Sequence, residues 1–198
     1  IKDFNLFVET KNPELIYKNL RIPIQNIKIY LDFYSLIKSK SQIDKINVIS
    51  KEIDIDQLKK IIIKIKPSNL NSMISNKVKN GKLKVNLEFY FNEDFSINNF
   101  IARGEVNEMN GIINDDLSLK DTSFNFFADS SDILIKNVKS KMDGLLIQNG
   151  NLQIRRDKEI SLKSDFTTIV KINKKNITNY VPLLKNIKFI NQETNFDG

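Results

Sequence analysis

Three close pairs of carboxylates are the first residues in the sequence that could do chemistry: Asp54 with Asp56, Asp115 with Asp116, and Asp129 with Asp132. Two carboxylates converging on a cleft carry out acid–base hydrolysis, and oxygen-rich loops hold calcium. These spacings fit neither. Asp54 and Asp56 alternate with Ile53 and Ile55, which turns both toward solvent. Asp115-Asp116 and Asp129-Ser-Ser-Asp132 lack the spacing of a calcium loop. They read as turns, because short polar side chains bond the neighbouring backbone. The chain has no His and no Cys. That removes Ser-His-Asp and Cys-His machinery, zinc and iron–sulfur sites, and disulfides. The sequence therefore assigns no catalytic residue, no metal ligand and no cofactor, and the chain reads as a non-enzyme.

The cations come next. Lys77, Lys79, Lys82 and Lys84 form one cluster, and Lys136, Lys139 and Lys141 another. Such clusters meet anionic lipid headgroups or guard sheet edges against aggregation. Arg155-Arg156 before Asp157 reads as a turn with local pairing. The net charge is +7, from 31 Lys+Arg and 24 Asp+Glu, yet only four of the basic residues are Arg. Phosphate and base recognition favours the Arg fork. Ile, Lys and Asn, which share A/T-rich codons, supply 31, 27 and 26 of the 198 residues. The charge is thus read as codon usage, with no nucleic-acid partner.

The elements that carry these residues are mostly strands. Leu83, Val85, Leu87, Phe89 and Phe91 alternate with Lys82, Lys84, Asn86 and Glu88, the period-two pattern of a half-buried strand. Residues 92–96 make a turn and 96–106 return, with a bulge expected near Ile97 and Ile101. Leu117 and Leu119 lead to Phe124 and Phe126 with a phase slip. Strands follow at 133–139 and 145–154, the second broken at Asn149-Gly150. Ile160, Leu162, Phe166, Val170 and Ile172 share one side of a run over 159–173, which would span about 50 Å.

The N-terminal third is mixed. Asn12-Pro13-Glu14 predicts a short helix over 13–19. Residues 27–33 and 43–49 read as strands, and 57–63 as a helix capped by Asp54 or Asp56. A helix over 68–79 is expected to end at Asn80-Gly81. Another is expected over 176–185. The division is a segment 1–66 of strands and short helices, a seam helix within 67–80, and a sheet over 81–198. The fold class is mostly β with a few short helices. A long, curved antiparallel meander forming an open apolar groove is the first reading, and a closed β-sandwich is the alternative. The longest apolar run is three residues, far short of the about 20 that span a bilayer. The chain opens on Ile1 rather than Met, so it reads as a piece of a longer protein.

These blocks resemble a known group. Ile27-Lys-Ile-Tyr-Leu-Asp-Phe-Tyr-Ser-Leu-Ile-Lys-Ser-Lys-Ser-Gln-Ile43, then Ile46-Asn-Val-Ile-Ser and Glu52-Ile-Asp-Ile-Asp-Gln-Leu58, look like the start of AsmA-like proteins. Val78-Lys-Asn-Gly-Lys-Leu83, Phe100-Ile-Ala-Arg-Gly-Glu-Val106, Phe124-Asn-Phe-Phe-Ala-Asp129 and Gly150-Asn-Leu-Gln-Ile154 resemble the alternating hairpins of the AsmA, TamB and YhdP group. The resemblance covers about residues 22–172 and carries no catalytic motif. It implies a periplasmic segment of a Gram-negative envelope protein, held in the inner membrane by an anchor outside this sequence. It further implies a β-groove through which phospholipid acyl chains pass toward the outer membrane in outer-membrane biogenesis. The expected lining is Leu83, Val85, Leu87, Phe89, Phe91, Phe124, Phe126, Ile160, Leu162, Phe166, Val170 and Ile172. The competing reading is a β-sandwich adhesion or scaffold module that binds protein partners.

Overall fold

The computed structural model describes residues 6–32, 37, 42–64, 69–115, 117–156 and 159–171. Among them the chain is mostly strand, with two short helices. The N-terminal strands are β1 (Leu6–Lys11), β2 (Leu15–Tyr17), β3 (Leu20–Ile22), β4 (Ile24–Leu31), β5 (Ile43–Ser50) and β6 (Ile53–Asp54). Helices α1 (Ile55–Lys64) and α2 (Asn69–Lys77) follow. Six long strands complete the described chain: β7 (Val78–Phe91), β8 (Ile97–Ile112), β9 (Ser118–Ala128), β10 (Asp132–Met142), β11 (Leu145–Arg156) and β12 (Ile160–Val170).

One sheet holds ten of the strands, in the order β1-β4-β5-β7-β8-β9-β10-β11-β12, with β6 also paired to β7. Its pairings are all antiparallel. The sheet is a large meander that does not close, so β1 and β12 are its edges. The closed β-sandwich is therefore not the architecture of the described residues. The hairpin β2–β3 and the segment β6–α1–α2 are insertions into this meander. Both helices pack on β7.

Several elements differ from the sequence expectation for identifiable reasons. The helix expected over 13–19 is the hairpin β2–β3, with Tyr17 paired to Leu20. Lys18 and Asn19 both take positive φ, 47° and 63°, which suits a two-residue hairpin turn and stops a helix. The helix expected over 68–79 stops at Lys77, and Val78 already belongs to β7. Asn80-Gly81 is no helix cap. Gly81, at φ 148°, lies where the β7–β8 register shifts twice, between Val78 and Lys82. The return strand expected to end at Val106 runs on to Ile112. The run over 159–173 is strand from Ile160 to Val170. The helix expected over 176–185 and the lining residue Ile172 lie outside the described residues.

Little of this chain is buried. Among the described residues the buried hydrophobics are Ile24, Ile53, Ile62 and Leu117. Ile53 and Ile62 lie at the seam where β6 and α1 meet β7. Leu117, only 1% exposed, sits in the β8–β9 turn, where its N–H bonds the Asn114 side-chain oxygen at 2.8 Å. Leu117→Ala should cost about 2–4 kcal/mol, read as a lower urea midpoint with an unchanged slope.

Candidate functional site

The candidate site is one face of the sheet, and cross-strand register defines it. Directly paired residues in an antiparallel ladder point the same way. Starting from Leu87 on β7, one row runs through Ala102, Ala128, Ile133, Ile154 and Leu162 on the next five strands. In the other direction it runs through Val48, Ile27 and Thr10. A second row joins Val8, Ile29, Ile46, Phe89 and Phe100. A third joins Val85, Gly104, Phe126, Ile135, Leu152 and Ser164.

All the expected lining residues that are described fall on this face. Leu83 pairs with Val106, which pairs with Phe124. Phe91 pairs with Ile97 after the bulge at Asn98, where the sequence placed one near Ile97 and Ile101. Ile160, Leu162, Phe166 and Val170 alternate along β12. Leu83, Val85, Leu87, Phe89, Phe91, Phe124 and Phe126 are half-buried. The β12 members are more open, Ile160 at 78% and Leu162 at 66%.

Two glycines shape the surface of this face. A Cβ on Gly104 would lie 2.3 Å from the Lys84 carbonyl oxygen and 2.8 Å from the Phe126 ring. A Cβ on Gly150 would lie 2.0 Å from the Phe166 ring. Each phenylalanine thus lies over a glycine of the neighbouring strand, filling the space a side chain would take.

The opposite face mixes charged and hydrogen-bonded groups with apolar ones such as Ile101, Phe127 and Leu134. Glu88 accepts from the Tyr90 hydroxyl at 2.7 Å and lies 3.5 Å from Arg103 and 4.0 Å from Lys45. The Glu88 carboxylate holds the Tyr90 hydroxyl pKa above its usual range. The Lys45 ammonium stands 4.4 Å from the centre of the Tyr30 ring. Asn47 donates from its side chain to that of Asn86.

A line of bulges crosses β7 to β12, marked by register shifts on every neighbouring pair of strands except β10–β11. Glu108, Asp121 and Asn137 take positive φ along it. Asparagine side chains bond the backbone along this line. Asn80 accepts from the Asn110 N–H at 3.0 Å, Asn110 from Asp121 at 2.9 Å, and Asn151 from Asn137 at 3.4 Å. Sequence reasoning missed these residues by treating Asn as codon usage. The available signal was the phase slip before Phe124.

Several of the carboxylates and cations singled out in the sequence have structural roles. Asp54 and Asp56 are exposed at the start of α1. Asp129 accepts from the Ser131 and Asp132 N–H groups, each at 2.8 Å, and from the Ser131 hydroxyl at 2.9 Å. It closes the β9–β10 turn, and these donors hold its pKa below the usual carboxylate range. Asp116 lies outside the described residues. Lys82 sits 3.2 Å from Glu108 and 3.7 Å from Glu52, and the hydrogen bond to Glu108 holds its pKa above the ordinary lysine value. Lys141 meets Asp121 at 2.9 Å. Arg155 pairs with Asp132 on β10 at 3.4 Å, and Asp157, expected beside it in a turn, lies outside the described residues. Among the described residues no group of three or more acidic side chains is placed to hold a metal. No described helix is long and apolar enough to cross a membrane, which says nothing of strands.

The Asp129 contacts predict a pH effect. A carboxylate with a depressed folded pKa adds stability that is complete above its unfolded pKa, about 4, and lost as pH falls through the folded value. Asp129→Ala should therefore unfold at lower urea than the parent at pH 7. The gap should narrow in acid once the parent's Asp129 is protonated.

No protein family, curated protein or solved structure matches this chain.

Proposed function

We propose that this chain is a non-enzymatic, lipid-binding segment of an AsmA-like protein of the Gram-negative envelope. In this reading the shared face of the sheet is an apolar β-groove. It shields phospholipid acyl chains on their way from the inner to the outer membrane. The segment works in the periplasm, on a protein anchored in the inner membrane through residues outside this sequence.

One observation carries the proposal. Rows rich in Val, Leu, Ile and Phe continue in register across the meander, and the second sheet among the described residues is only the two-stranded hairpin β2–β3, too small to cover them. An uncovered apolar patch beyond a few hundred Å2 ordinarily marks a binding surface. Each methylene leaving water gains about 0.8 kcal/mol, so a chain of about 15 carbons gains about 10. The lining offers no charge to fix a headgroup. Ala102, Gly104 and Ala128 keep the middle of the face low. A face of this kind suits a ligand that slides, since no single position traps it.

The test is purification of the chain from a Gram-negative periplasm without detergent, followed by lipid extraction and mass spectrometry. Near-stoichiometric phospholipid is the expected result. Lipid-free protein, with Phe89 and Phe126 shielded from an aqueous quencher, would sink the proposal.

A further inference from the structure

The edge strand β12 is open along nearly its whole length. Every described residue in it except Thr168 is exposed, and it runs eleven residues without Pro or Gly. Its outer row of backbone groups has no ladder partner among the described residues. Such an edge is a template for another strand. What fits it is constrained by its own sequence.

We infer that β12 is a self-association edge, on which two copies of this chain pair β12 to β12, antiparallel, about a two-fold axis at Ser164. Lys163 then stands opposite Asp165 of the second copy, and Asp165 opposite Lys163 of the second copy. Leu162 stands opposite Phe166 of the second copy, twice. Residues one and two places from the axis thus meet a charge partner and an apolar partner, as an isologous interface requires. The neighbouring registers lack this match. An axis at Lys163 sets two ammonium groups against each other, and an axis at Asp165 sets two carboxylates against each other. An axis at Phe166 puts Lys163 opposite Ile169. Pairing about Ser164 also keeps Leu162 and Phe166 on the face shared with Ile154 and Gly150, so both copies present the same face to the same side.

The charges are placed for this use. Asp165 is held by the Asn151 side-chain N–H at 2.9 Å, which fixes its carboxylate on the polar side of β12. Lys163, paired in the ladder with Gln153, makes no ion pair among the described residues. The inference stands apart from the lipid reading, since it rests on backbone pairing and charge.

The whole 198-residue chain is the material for the test. Sedimentation equilibrium should show a monomer–dimer equilibrium. Lys163→Asp should weaken it by about tenfold or more, because two attractive cross-strand pairs become repulsive. Lys163→Asp combined with Asp165→Lys should restore it, since the pairs are re-formed with signs exchanged. Circular dichroism on each variant separates misfolding from loss of pairing. Ser164→Cys introduces the chain's sole cysteine, and opposed Cα atoms about 4.5–5.5 Å apart permit a disulfide. With oxidised glutathione it should give a covalent dimer, while Ser161→Cys should not. A chain that stays monomeric at high micromolar concentration overturns the inference. So does a dimer that ignores both charge variants and does not cross-link through residue 164.

Discussion

Gly104→Ala should destabilise the protein by about 3 kcal/mol, a fall of about 6–12 °C in the thermal midpoint for a chain of this size. The reason is what the new methyl meets. Its carbon would stand 2.3 Å from the Lys84 carbonyl oxygen, a backbone atom of a strand bonded on both sides. That oxygen moves only if the β7–β8 ladder opens locally. The Phe126 ring, 2.8 Å away, adds a second obstacle. Gly150→Ala looks worse on distance alone, at 2.0 Å, and should cost less. There the obstacle is the Phe166 ring, on the edge strand and already 47% exposed. The ring swings outward for about 1 kcal/mol, or about 2–4 °C. Differential scanning calorimetry on the two variants decides whether backbone or side chain sets the penalty. Equal losses would refute the argument.

On the lipid-binding reading proposed above, Leu87→Asp should leave the fold standing and strip the protein of lipid. The two readings of this residue predict opposite results. Inside a dry core, an unpaired carboxylate costs several kcal/mol, enough to unfold a marginal domain. On a half-open face the carboxylate keeps much of its water, so the cost stays near 1 kcal/mol. Leu87 is half-buried, in the middle of a row that runs from Thr10 on β1 to Leu162 on β12. In the proposed groove, a charge there would interrupt the path of an acyl chain. The expected result is a thermal midpoint within a few degrees of the parent and at least a tenfold drop in bound phospholipid. Asn86→Asp, one residue along on the opposite face, should leave lipid unchanged. Collapse of the fold with Leu87→Asp would mean that the face is covered.

The sheet was legible in the sequence because alternation carries its own register. Leu83 to Phe91 declares a strand and its more apolar side without any partner in view. Once β7 is fixed, Phe100, Ala102, Gly104 and Val106 can only lie opposite it. The bulge after Phe91 was visible as a break in that alternation. The seam was harder. Asn12-Pro13-Glu14 is a good helix start, yet nothing after it extends the helix, and the left-handed pair Lys18-Asn19 turns the chain back. Asn80-Gly81 carries the residue types of a helix cap and of a bulge alike, and only the partner strand distinguishes them. The asparagines along the bulges were hidden for a related reason. Their value lies in reaching a backbone N–H on the neighbouring strand, as Asn80 on β7 reaches Asn110 on β8, and no local pattern records that.

The meander also has a thermodynamic consequence. From β8 to β11 each strand bonds the strands immediately before and after it in sequence. Stability is then close to a sum of nearest-neighbour terms, as in a zipper, rather than the product of one shared interior. Amide exchange should be slowest in β7–β9 and quicken step by step toward β12, with no single free energy describing the whole. Local pairing of this kind also shortens the search for the folded state. Above all it makes length a free variable. A hairpin added or removed shifts where the sheet ends and leaves the register of every other strand as it was.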